Sequence, residues 1–304
     1  MDDIENKITH IVDDREHGSR WLVRETIMLL HDLAQEKTTN QEQQMRTIFT
    51  VARRLAQARP AMAALSSAVS QIVSVEGKPE AIARAANQLL QDYNTATKRI
   101  ATHAEHYIQG RLITCSLSGT VLDVLAACKQ NIRHVTVLES RPRYEGRATA
   151  QELIRQGIPV TLITDAQADI FLMQCDAVIV GADSILTNGD VLNKAGTALL
   201  AWAARGHQIP FYVVCETLKI TPHRWSEDPA RLAENLSLLE DKGPQEIWEQ
   251  PIAGMTVHNF YFDHTPNELI GAWITERGSL ARTEIAEIAA LTEANEQILA
   301  TTKS

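Results

Sequence analysis

The feature that most constrains the fold is a change of pattern after Gly110. From that point, short apolar runs rich in β-branched residues alternate with amphipathic segments of helical length. The runs are RLITCS, HVTVLES, VTLITD, AVIVGAD and PFYVVCE, and the segments between them are GTVLDVLAACKQ, GRATAQELIRQG, AQADIFLMQC and NKAGTALLAWAARG. This alternation predicts βαβ units and an α/β fold with a buried, mostly parallel sheet. A later stretch, VHNFYFDHTPNELIGAWITERG, predicts another strand, a turn at Pro266 and a helix, and the tail from Thr283 predicts a final helix.

The chain before Gly110 is predicted to be helical, since its apolar residues recur at helical spacing. Three helical segments are expected: WLVRETIMLLHDLAQ, NQEQQMRTIFTVARRLAQA and the stretch from Pro79 to about Ile108. Asn40 can cap the second segment, and Pro60 stops or bends it. We therefore expect a helical domain over residues 1–108 and an α/β domain over residues 109–304. No linker rich in Pro, Gly or Ser separates them, so the two are expected to pack together.

Charge and composition narrow the functional class. The 304 residues carry a net charge of -9, which argues against broad nucleic-acid binding, and only 5% are aromatic, which argues against base-stacking surfaces. The four cysteines (Cys115, Cys128, Cys175 and Cys215) are far apart and lie in or beside apolar runs, as free thiols in a reducing compartment do. The polar start, MDDIENKITH, is no signal peptide, and no apolar run has the length of a membrane span. We expect a cytoplasmic protein with no membrane contact.

Polar residues follow each predicted strand. The five strand ends are Ser116, Glu139, Asp165, Asp183 and Glu216. The carboxyl ends of parallel strands meet at one edge of a sheet, where ligands bind in open α/β folds. Any one of these residues can instead be a helix cap or face water. The group as a whole favours a binding crevice.

Basic and amide side chains follow the same strands. They are Arg141 and Arg147 near a helix start, Asn193 and Lys194 where the sequence predicts a helix after NGDV, Lys219 in ETLK, and the His17-Gly18-Ser19 turn before the first long helix. Arginines bind phosphate, helix N-termini favour anions, and carboxylates and amides bind hydroxyl groups. The set predicts a small phosphorylated metabolite as ligand. GxGxxG, P-loop and GxSxG motifs are absent from the sequence, as are histidine pairs at metal spacing with a carboxylate partner, so we expect no cofactor and no metal.

Several stretches resemble one known family. They are ESRPRYEGRATAQEL, VIVGADSILTNGDVLNKAGT, IPFYVVCETLK and NFYFDHTPNEL, with HGSRWLVRETI and ARPAMAAL in the helical part, and they span about residues 17–278. The chain is similar to the group that joins the alpha, beta and delta subunits of translation initiation factor 2B with methylthioribose-1-phosphate isomerase and ribose-1,5-bisphosphate isomerase. VGADSILTNGDVLNKAGT is the most specific of these segments.

The resemblance implies a helical N-terminal domain on a Rossmann-like domain, assembled as homodimers or higher homo-oligomers. The isomerases convert a phosphorylated aldose to a ketose with a cysteine and an aspartate, and the aspartate of the GAD motif is Asp183 here. The implied substrate-binding positions are Gly18, Ser19, Arg59, Asn193 and Lys194. Lys219 in ETLK matches the ribose-bisphosphate and initiation-factor branches better than the methylthioribose branch.

The chain departs from the isomerases at the expected cysteine. They typically have THCN, whereas this sequence has Thr114-Cys115-Ser116-Leu117, which puts Ser116 at the cysteine position in an alignment without gaps. A one-residue offset in a strand points a side chain to the opposite face. Cys115 therefore inherits the role only if the strand end is bulged or irregular, and Ser116 is a far weaker acid than a thiol.

Two further positions differ. The arginine-containing RGA loop of the isomerases is HGS here, so His17 would replace an arginine with a group that titrates near neutral pH. Glu145 stands where methylthioribose isomerases usually have glutamine, which adds a negative charge near the expected substrate.

Three functional hypotheses follow. The first is an aldose–ketose isomerase acting on a phosphorylated pentose, such as ribose 1,5-bisphosphate or methylthioribose 1-phosphate, with Asp183 and either Cys115 or Ser116 as acid–base groups. The second is a non-catalytic relative of the initiation factor 2B subunits that binds a sugar phosphate or nucleotide and contacts a translation factor. The third is an enzyme of different chemistry on a related phosphorylated metabolite. The retained Asp183 and NGDVLNK favour the first, and the displaced cysteine favours the second.

Overall fold

The computed structural model describes residues 2–14, 18–75, 77–250 and 252–302. The helices are α1 (Asp2–Val12), α2 (Ser19–Gln35), α3 (Gln41–Ala56), α4 (Ala63–Val73), α5 (Pro79–Ala104), α6 (Gly119–Ala127), α7 (Glu145–Arg155), α8 (Ala168–Leu172), α9 (Thr197–Gly206), α10 (Leu232–Ser237) and α11 (Arg282–Thr301). The strands are β1 (Gly110–Thr114), β2 (Ile132–Leu138), β3 (Val160–Ile163), β4 (Ala177–Val180), β5 (Ser184–Ile185), β6 (Val191–Lys194), β7 (Phe211–Val214), β8 (Phe262–Thr265), β9 (Ala272–Thr275) and β10 (Gly278–Leu280).

A seven-stranded sheet with the order β10-β9-β7-β4-β1-β2-β3 forms the centre of the molecule. All its pairings are parallel except that of the edge strand β10 with β9. The five predicted strands are confirmed as β1, β2, β3, β4 and β7, and the α/β fold is confirmed with them. One apolar layer packs α5, α6 and α7 on one face of the sheet, and a second packs α8, α9 and α11 on the other. The strand order reverses direction between β1 and β4, which is where such sheets bind ligands.

A small antiparallel sheet, β5-β6-β8, stands beside this switch point. The expectation that Asn193 and Lys194 begin a helix is wrong, because both lie in β6, paired with Asp263 and Phe262 of β8. Gly196 has a φ of 107°, in the left-handed region, and this turn of the backbone separates β6 from α9, which begins at Thr197. Hydrogen bonds to two neighbouring strands outweigh the helical propensity of the residues that follow.

The helix predicted after Pro266 is also wrong. The stretch forms a three-residue turn at Asn267–Leu269 and then the strands β9 and β10. All four residues of β9 are buried, since this strand pairs with β7 inside the large sheet. Apolar periodicity alone does not distinguish a short buried strand from a buried helix segment.

The three helices predicted in the first third are confirmed as α2, α3 and α5, and Asn40 caps α3 by accepting a hydrogen bond from the Gln43 N–H at 3.0 Å. The expected final helix is α11. Helices α1 and α4 were not predicted; nine of the 11 residues of α4 are buried, so it has no polar face to give a helical period. None of the helices in the described part of the chain is long and apolar enough to cross a membrane.

The two parts of the chain share helices. The first half of α5 lies in the core of the helical part, and its end, with Ile100 and Ala104, packs on the sheet. Helix α11 begins on the sheet at Ile285 and ends in the helical core at Leu299. The division into residues 1–108 and 109–304 stays a prediction, to which the structure adds that α11 contacts both parts.

Gly146 offers a test of how α7 is seated. A Cβ at this position would lie 1.8 Å from the carbonyl oxygen of Leu138 at the end of β2. Gly146→Ala therefore has to push α7 off the sheet, and we expect it to lower the free energy of unfolding by about 1–3 kcal/mol or more, measured by urea unfolding. Gly206→Ala is the matched control, since a Cβ at the end of α9 meets open space, and we expect a change within about 0.5 kcal/mol. Equal effects of the two substitutions would contradict this account of the packing.

Candidate functional site

The site lies where β1 and β4 end, at the switch point of the sheet. Cys115 and Ser116 follow β1 directly, and Asp183 follows β4. A Cβ at Gly181 would lie 2.8 Å from the Ser118 Oγ, so a glycine here lets the two strand ends approach each other closely. The fold thus brings the predicted acid–base residues to one place.

The end of β1 is irregular, which decides how the cysteine is placed. Ser116 has a φ of 64°, in the left-handed region, and lies outside the strand. Two hydrogen bonds fix it there: its N–H donates to Ser140 Oγ at 2.7 Å, and its carbonyl accepts from Thr149 Oγ1 at 2.6 Å. Strict alternation of side chains stops at Thr114. The condition under which Cys115 can occupy the site is therefore met.

The Cys115 thiol is buried and points at Thr197, with 3.5 Å between Sγ and Oγ1. The Thr197 hydroxyl donates to the carbonyl of Lys194 at 2.6 Å and accepts from Asn193 Nδ2 at 2.9 Å. Because that proton is already used, the thiol is the donor in its contact with Thr197. Burial raises the pKa of Cys115 to about 12, with the Thr197 hydrogen bond opposing it. Cys115 is therefore a neutral thiol rather than a thiolate nucleophile at neutral pH.

Asp183 lies among charged groups of both signs and keeps partial access to solvent. Burial raises the pKa of its carboxyl above the usual range; Lys219 and Lys194 oppose that rise, and Glu240 and Glu145 add to it. A carboxyl group raised in this way can exchange protons nearer to neutral pH than an ordinary aspartate.

Two lysines expected to bind substrate are buried, each about 5% exposed. Lys219 lies in the short turn after β7 and donates to the carbonyl of Ala182, next to Asp183. Lys194 donates to Glu145 Oε1 at 2.9 Å and lies 4.4 Å from the centre of the Tyr261 ring. Both lysines reach the site, and both already have protein partners.

The helical part contributes Arg59 and the start of α2. The Arg59 guanidinium donates to the carbonyl of Asp14. Gly18 caps α2 and Ser19 is its first residue, while Arg20 forms an ion pair with Asp123 of α6, which follows β1. Gly18 and Ser19 are therefore held near the same edge of the sheet, whereas His17 lies outside the described residues.

The two arginines after β2 are engaged elsewhere. The exposed Arg147 stacks on the Tyr144 ring at 3.9 Å and lies 3.4 Å from Glu139. Arg141 donates to the Tyr144 hydroxyl at 2.9 Å. The structure does not bring either side chain into contact with Asp183 or Cys115, and their substrate-binding role stays a prediction.

Two of the strand-end residues have structural partners. Asp165 accepts the backbone N–H groups of Ser140 and Arg141, each at 2.8 Å, and so fixes the loop after β2. Glu216 accepts from Thr120 Oγ1 at 2.7 Å. Asp165 holds a loop rather than capping a helix, since Thr164 is the cap of the short turn that begins at Asp165.

Sequence reasoning missed Asp263, although it quoted the segment NFYFDHTPNEL that contains it. Asp263 lies in β8 opposite Asn193, and its Oδ2 accepts from the N–H groups of Gly196 and Ala198 at 2.7 and 3.0 Å. Its Oδ1 is buried without a hydrogen-bond partner in the described structure. Burial raises the pKa of Asp263 to about 7 despite these two bonds. The sequence could have pointed to Asp263, because a charged residue directly after the aromatic run FYF is unusual in a short strand.

Among the described residues, no group of three or more His, Cys, Asp and Glu side chains could hold a metal ion. The donors at the switch point are instead one thiol, several carboxyl groups and two lysines. Thiol and carboxyl groups can exchange protons with a small polar ligand, and lysines can attract its negative charge.

Comparisons with known proteins agree with this geometry. The sequence matches the Initiation factor 2 subunit family over residues 15–282. The chain belongs to that family.

Two relatives of the chain carry the names of different isomerases. The chain is 32% identical over 267 residues to a ribose 1,5-bisphosphate isomerase of Archaeoglobus fulgidus, covering 84% of this chain and 82% of that protein. It is 40% identical over 192 residues to a methylthioribose-1-phosphate isomerase of Desulforamulus reducens, covering 59% of this chain and 52% of that protein. The chain thus spans about half the length of that second relative.

A solved structure of a Pyrococcus horikoshii OT3 translation initiation factor eIF-2B has the same fold. Its TM-score is 0.79 at 29% identity, and the match covers 92% of this chain and 97% of that one. The chain thus shares its architecture with that translation initiation factor.

Asp263 gives a test of the electrostatics beside Cys115. A carboxyl whose pKa is raised from 3.8 to about 7 binds its proton more tightly in the folded state than in the unfolded state. Folding stability therefore falls as pH rises through this window, by up to about 1.4 kcal/mol per pH unit. Asp263→Asn removes the titrating group, so we expect the variant to gain stability relative to the wild type between about pH 4 and pH 7, and no further above about pH 8.

Urea unfolding of both proteins across that range measures the difference. Asp92→Asn, at an exposed position on α5, is the control for removal of one surface carboxyl group. A wild-type-to-variant difference that stays constant with pH would refute the assignment of a raised Asp263 pKa.

Proposed function

We propose that this protein is an aldose–ketose isomerase that acts on a phosphorylated pentose. The observation that carries the proposal is the placement of a neutral thiol, Cys115, and a carboxyl of raised pKa, Asp183, at the ends of the two strands that flank the switch point. The isomerase names among the family relatives support it.

The chemistry requires one group that gives a proton and one that takes a proton. When a cyclic sugar phosphate opens, the bond between C1 and the ring oxygen breaks and that oxygen takes up a proton. Loss of the ring oxygen leaves C1 electron-deficient, so the hydrogen on C2 moves to C1 as hydride, with its electron pair, while the C2 hydroxyl loses its proton and C2 becomes the ketone. In this proposal Cys115, which holds its proton at neutral pH, gives the first proton, and Asp183 takes the second.

In this proposal the phosphate lies between the helical part and the sheet. Arg59, Gly18 and Ser19 supply guanidinium and backbone N–H donors there. Asn193 donates a hydrogen bond to the Thr197 hydroxyl, and that hydroxyl contacts the Cys115 thiol. Asn193 therefore helps to position Cys115 through Thr197. Lys219 and Lys194 keep part of the negative charge on Asp183 by opposing the rise in its pKa.

The second candidate is a non-catalytic subunit that binds a sugar phosphate or nucleotide and acts through a translation factor. The likeness that favours it is a putative translation initiation factor eIF-2B subunit 2-like protein of Pyrococcus horikoshii, 31% identical over 270 residues and 91% of its length. Ligand binding without turnover would support this candidate against the first.

Three substitutions test the catalytic roles. Asp183→Asn and Cys115→Ser should each lower kcat for ketose formation by about 100-fold or more, since each removes one acid–base group, while ligand affinity changes by less than about tenfold. Ser116→Ala should leave kcat within about threefold, because the strand end turns Cys115 rather than Ser116 toward Thr197. Initial rates with ribose 1,5-bisphosphate and with methylthioribose 1-phosphate measure these effects.

The outcome separates the candidates. Full activity in Asp183→Asn, or loss of activity in Ser116→Ala alone, would show that the catalytic assignment is wrong. Binding of either sugar phosphate by the wild type with no turnover of it would reject the isomerase proposal for that substrate.

We also propose that the protein is a homo-oligomer, because α8 and α9 carry a large exposed apolar surface. Its residues are Ile170, Met173, Leu199 and Trp202, which are 55–75% exposed. Apolar patches of this kind mark protein interfaces. Trp202→Glu should shift the mass in light scattering toward the monomer, whereas Leu291→Glu, on α11, should not; an unchanged mass for Trp202→Glu would refute this interface.

A further inference from the structure

A chain of hydrogen bonds runs from the small sheet to the Cys115 thiol. Asp263 Oδ2, in β8, accepts from the backbone N–H groups of Gly196 and Ala198 at 2.7 and 3.0 Å. These two residues flank Thr197, and the Thr197 hydroxyl lies 3.5 Å from Cys115 Sγ. One carboxyl oxygen therefore holds the backbone on both sides of the residue that contacts the thiol.

Packing does not hold the turn between β6 and α9. Gly196 has a φ of 107°, and a Cβ at this position would meet no atom within 4 Å. Glycine also has more backbone freedom than any other residue. The turn is held by hydrogen bonds instead: the two to Asp263, and one from the Ala195 N–H to the Tyr261 carbonyl at 2.8 Å. The bonds to Asp263 involve a side chain, so a substitution can remove them.

The position of Asp263 is set by strand pairing. It lies opposite Asn193 of β6, and Asn193 Nδ2 donates to the Thr197 hydroxyl at 2.9 Å. The two paired residues thus act on Thr197 together, Asp263 through the neighbouring backbone and Asn193 through the hydroxyl. That hydroxyl donates to the Lys194 carbonyl at 2.6 Å, which leaves the thiol as the donor toward Thr197.

The Asp263 carboxyl does not need a charge to hold this turn. Burial raises its pKa to about 7, although the bonds from Ala198 and Gly196 oppose the rise, so the neutral and ionised forms coexist at neutral pH. A protonated carboxyl keeps acceptor capacity, and Oδ2 can therefore accept the two N–H groups in either form. The amide oxygen of an asparagine could accept them as well.

We propose that Asp263 is a positioning residue of the site: by bonding the N–H groups on both sides of Thr197, it places the hydroxyl to which Cys115 donates. Asp263 thus acts on the thiol through Thr197. As a statement about turnover, the inference rests on the proposed isomerase function, to which it adds a residue outside the large sheet.

Raman spectroscopy tests the positioning role without turnover. The S–H stretching band of Cys115, identified as the band that Cys115→Ser removes, reports the hydrogen bond that the thiol donates. We expect Asp263→Ala to shift this band toward that of a free thiol, as Thr197→Val should by removing the acceptor. Asp263→Asn should leave the band close to its wild-type position, because the amide oxygen accepts the same two N–H groups.

Asp176→Ala is the matched control. Asp176 Oδ2 accepts from the backbone N–H of Arg111 at 2.7 Å, and Arg111 lies at the start of β1, whereas Cys115 follows its end. The control therefore removes a bond of the same kind at the other edge of the sheet, and both the Cys115 band and kcat should keep their wild-type values. A thermal unfolding curve shows that each variant is folded before it is compared.

Steady-state kinetics test the same role on turnover. Asp263→Ala should lower kcat for ketose formation by about tenfold or more and change KM by less than about threefold, since the residues proposed to bind phosphate are untouched. Asp263→Asn should recover most of the lost kcat. Thr197→Val should lower kcat by a similar factor, and the double variant Asp263→Ala/Thr197→Val should lose little more than the stronger single variant, because the two residues act as one unit.

An S–H band that Asp263→Ala leaves in place, or effects of Asp263→Ala and Thr197→Val that multiply in the double variant, would overturn the positioning role. If Asp263→Ala does not fold, Asp263→Asn decides: a band shifted as far as in Thr197→Val would overturn it, and an unshifted band supports it. Absence of turnover of either sugar phosphate by the wild type is a different result. It refutes the proposed function, whereas the Raman comparison still decides whether Asp263 positions Cys115.

Discussion

The hydroxyl of Ser184 joins the two parts of the chain at the point where the site forms. It donates to the carbonyl of Ala61 at 2.7 Å and accepts from the N–H of Ala63 at 3.1 Å, and the residue is 1% exposed. Asp183 precedes Ser184, and Arg59 stands two residues before Ala61. One buried side chain therefore fixes the distance between an acid–base group of the sheet and an arginine of the helical part. Because this buried hydroxyl both donates and accepts a hydrogen bond, moving it would cost free energy, and the separation of the two parts at the cleft is therefore fixed.

The charge of the molecule is divided between its surface and this cleft. The net charge of -9 belongs to the whole chain, yet the site holds two lysines that are each about 5% exposed. Each of them has a protein partner, Glu145 for Lys194 and the Ala182 carbonyl for Lys219. These lysines hold the local negative charge in place and limit the rise of the Asp183 pKa. Lysines beside a candidate site thus need not all be open to a ligand, and counting them in the sequence overstates the positive charge that a ligand can meet.

Where the sequence carried a periodic signal, the fold could be predicted from it. Five parallel strands and the helices α2, α3, α5 and α11 have clear periods of apolar residues and were found. The misses are physical in origin. Helix α4 is buried on nearly all sides, so its apolar residues show no helical period. Strand β9 is short and wholly apolar, and its sequence therefore resembles a segment of a buried helix. Strand β6 is a strand because it pairs with β5 and with β8, and the second of these lies far from it in the sequence. Local propensity cannot contain such pairings.

The candidate site was predictable to the level of the strand ends. Strand-end position predicted that Ser116 and Asp183 lie in one crevice, because parallel strands end at one edge, and the family resemblance added Cys115 as the alternative to Ser116. It could not show that Arg147 stacks on Tyr144 at the surface, nor that Asp263 of a separate sheet stands opposite Asn193. The first depends on side-chain packing and the second on the register of two strands about 70 residues apart in the chain.

The cysteine shows most clearly why position in a motif differs from position in space. A one-residue offset reverses a side chain only while the backbone remains in a strand, and here the strand ends at Thr114. The left-handed conformation of Ser116, fixed by Ser140 and Thr149, leaves Cys115 on the side of Thr197. Burial then keeps the thiol protonated, whereas nucleophilic attack would require the thiolate. The replaced motif therefore does not count against the proposed catalysis: a thiol is present, and the backbone rather than the sequence spacing determines where it lies.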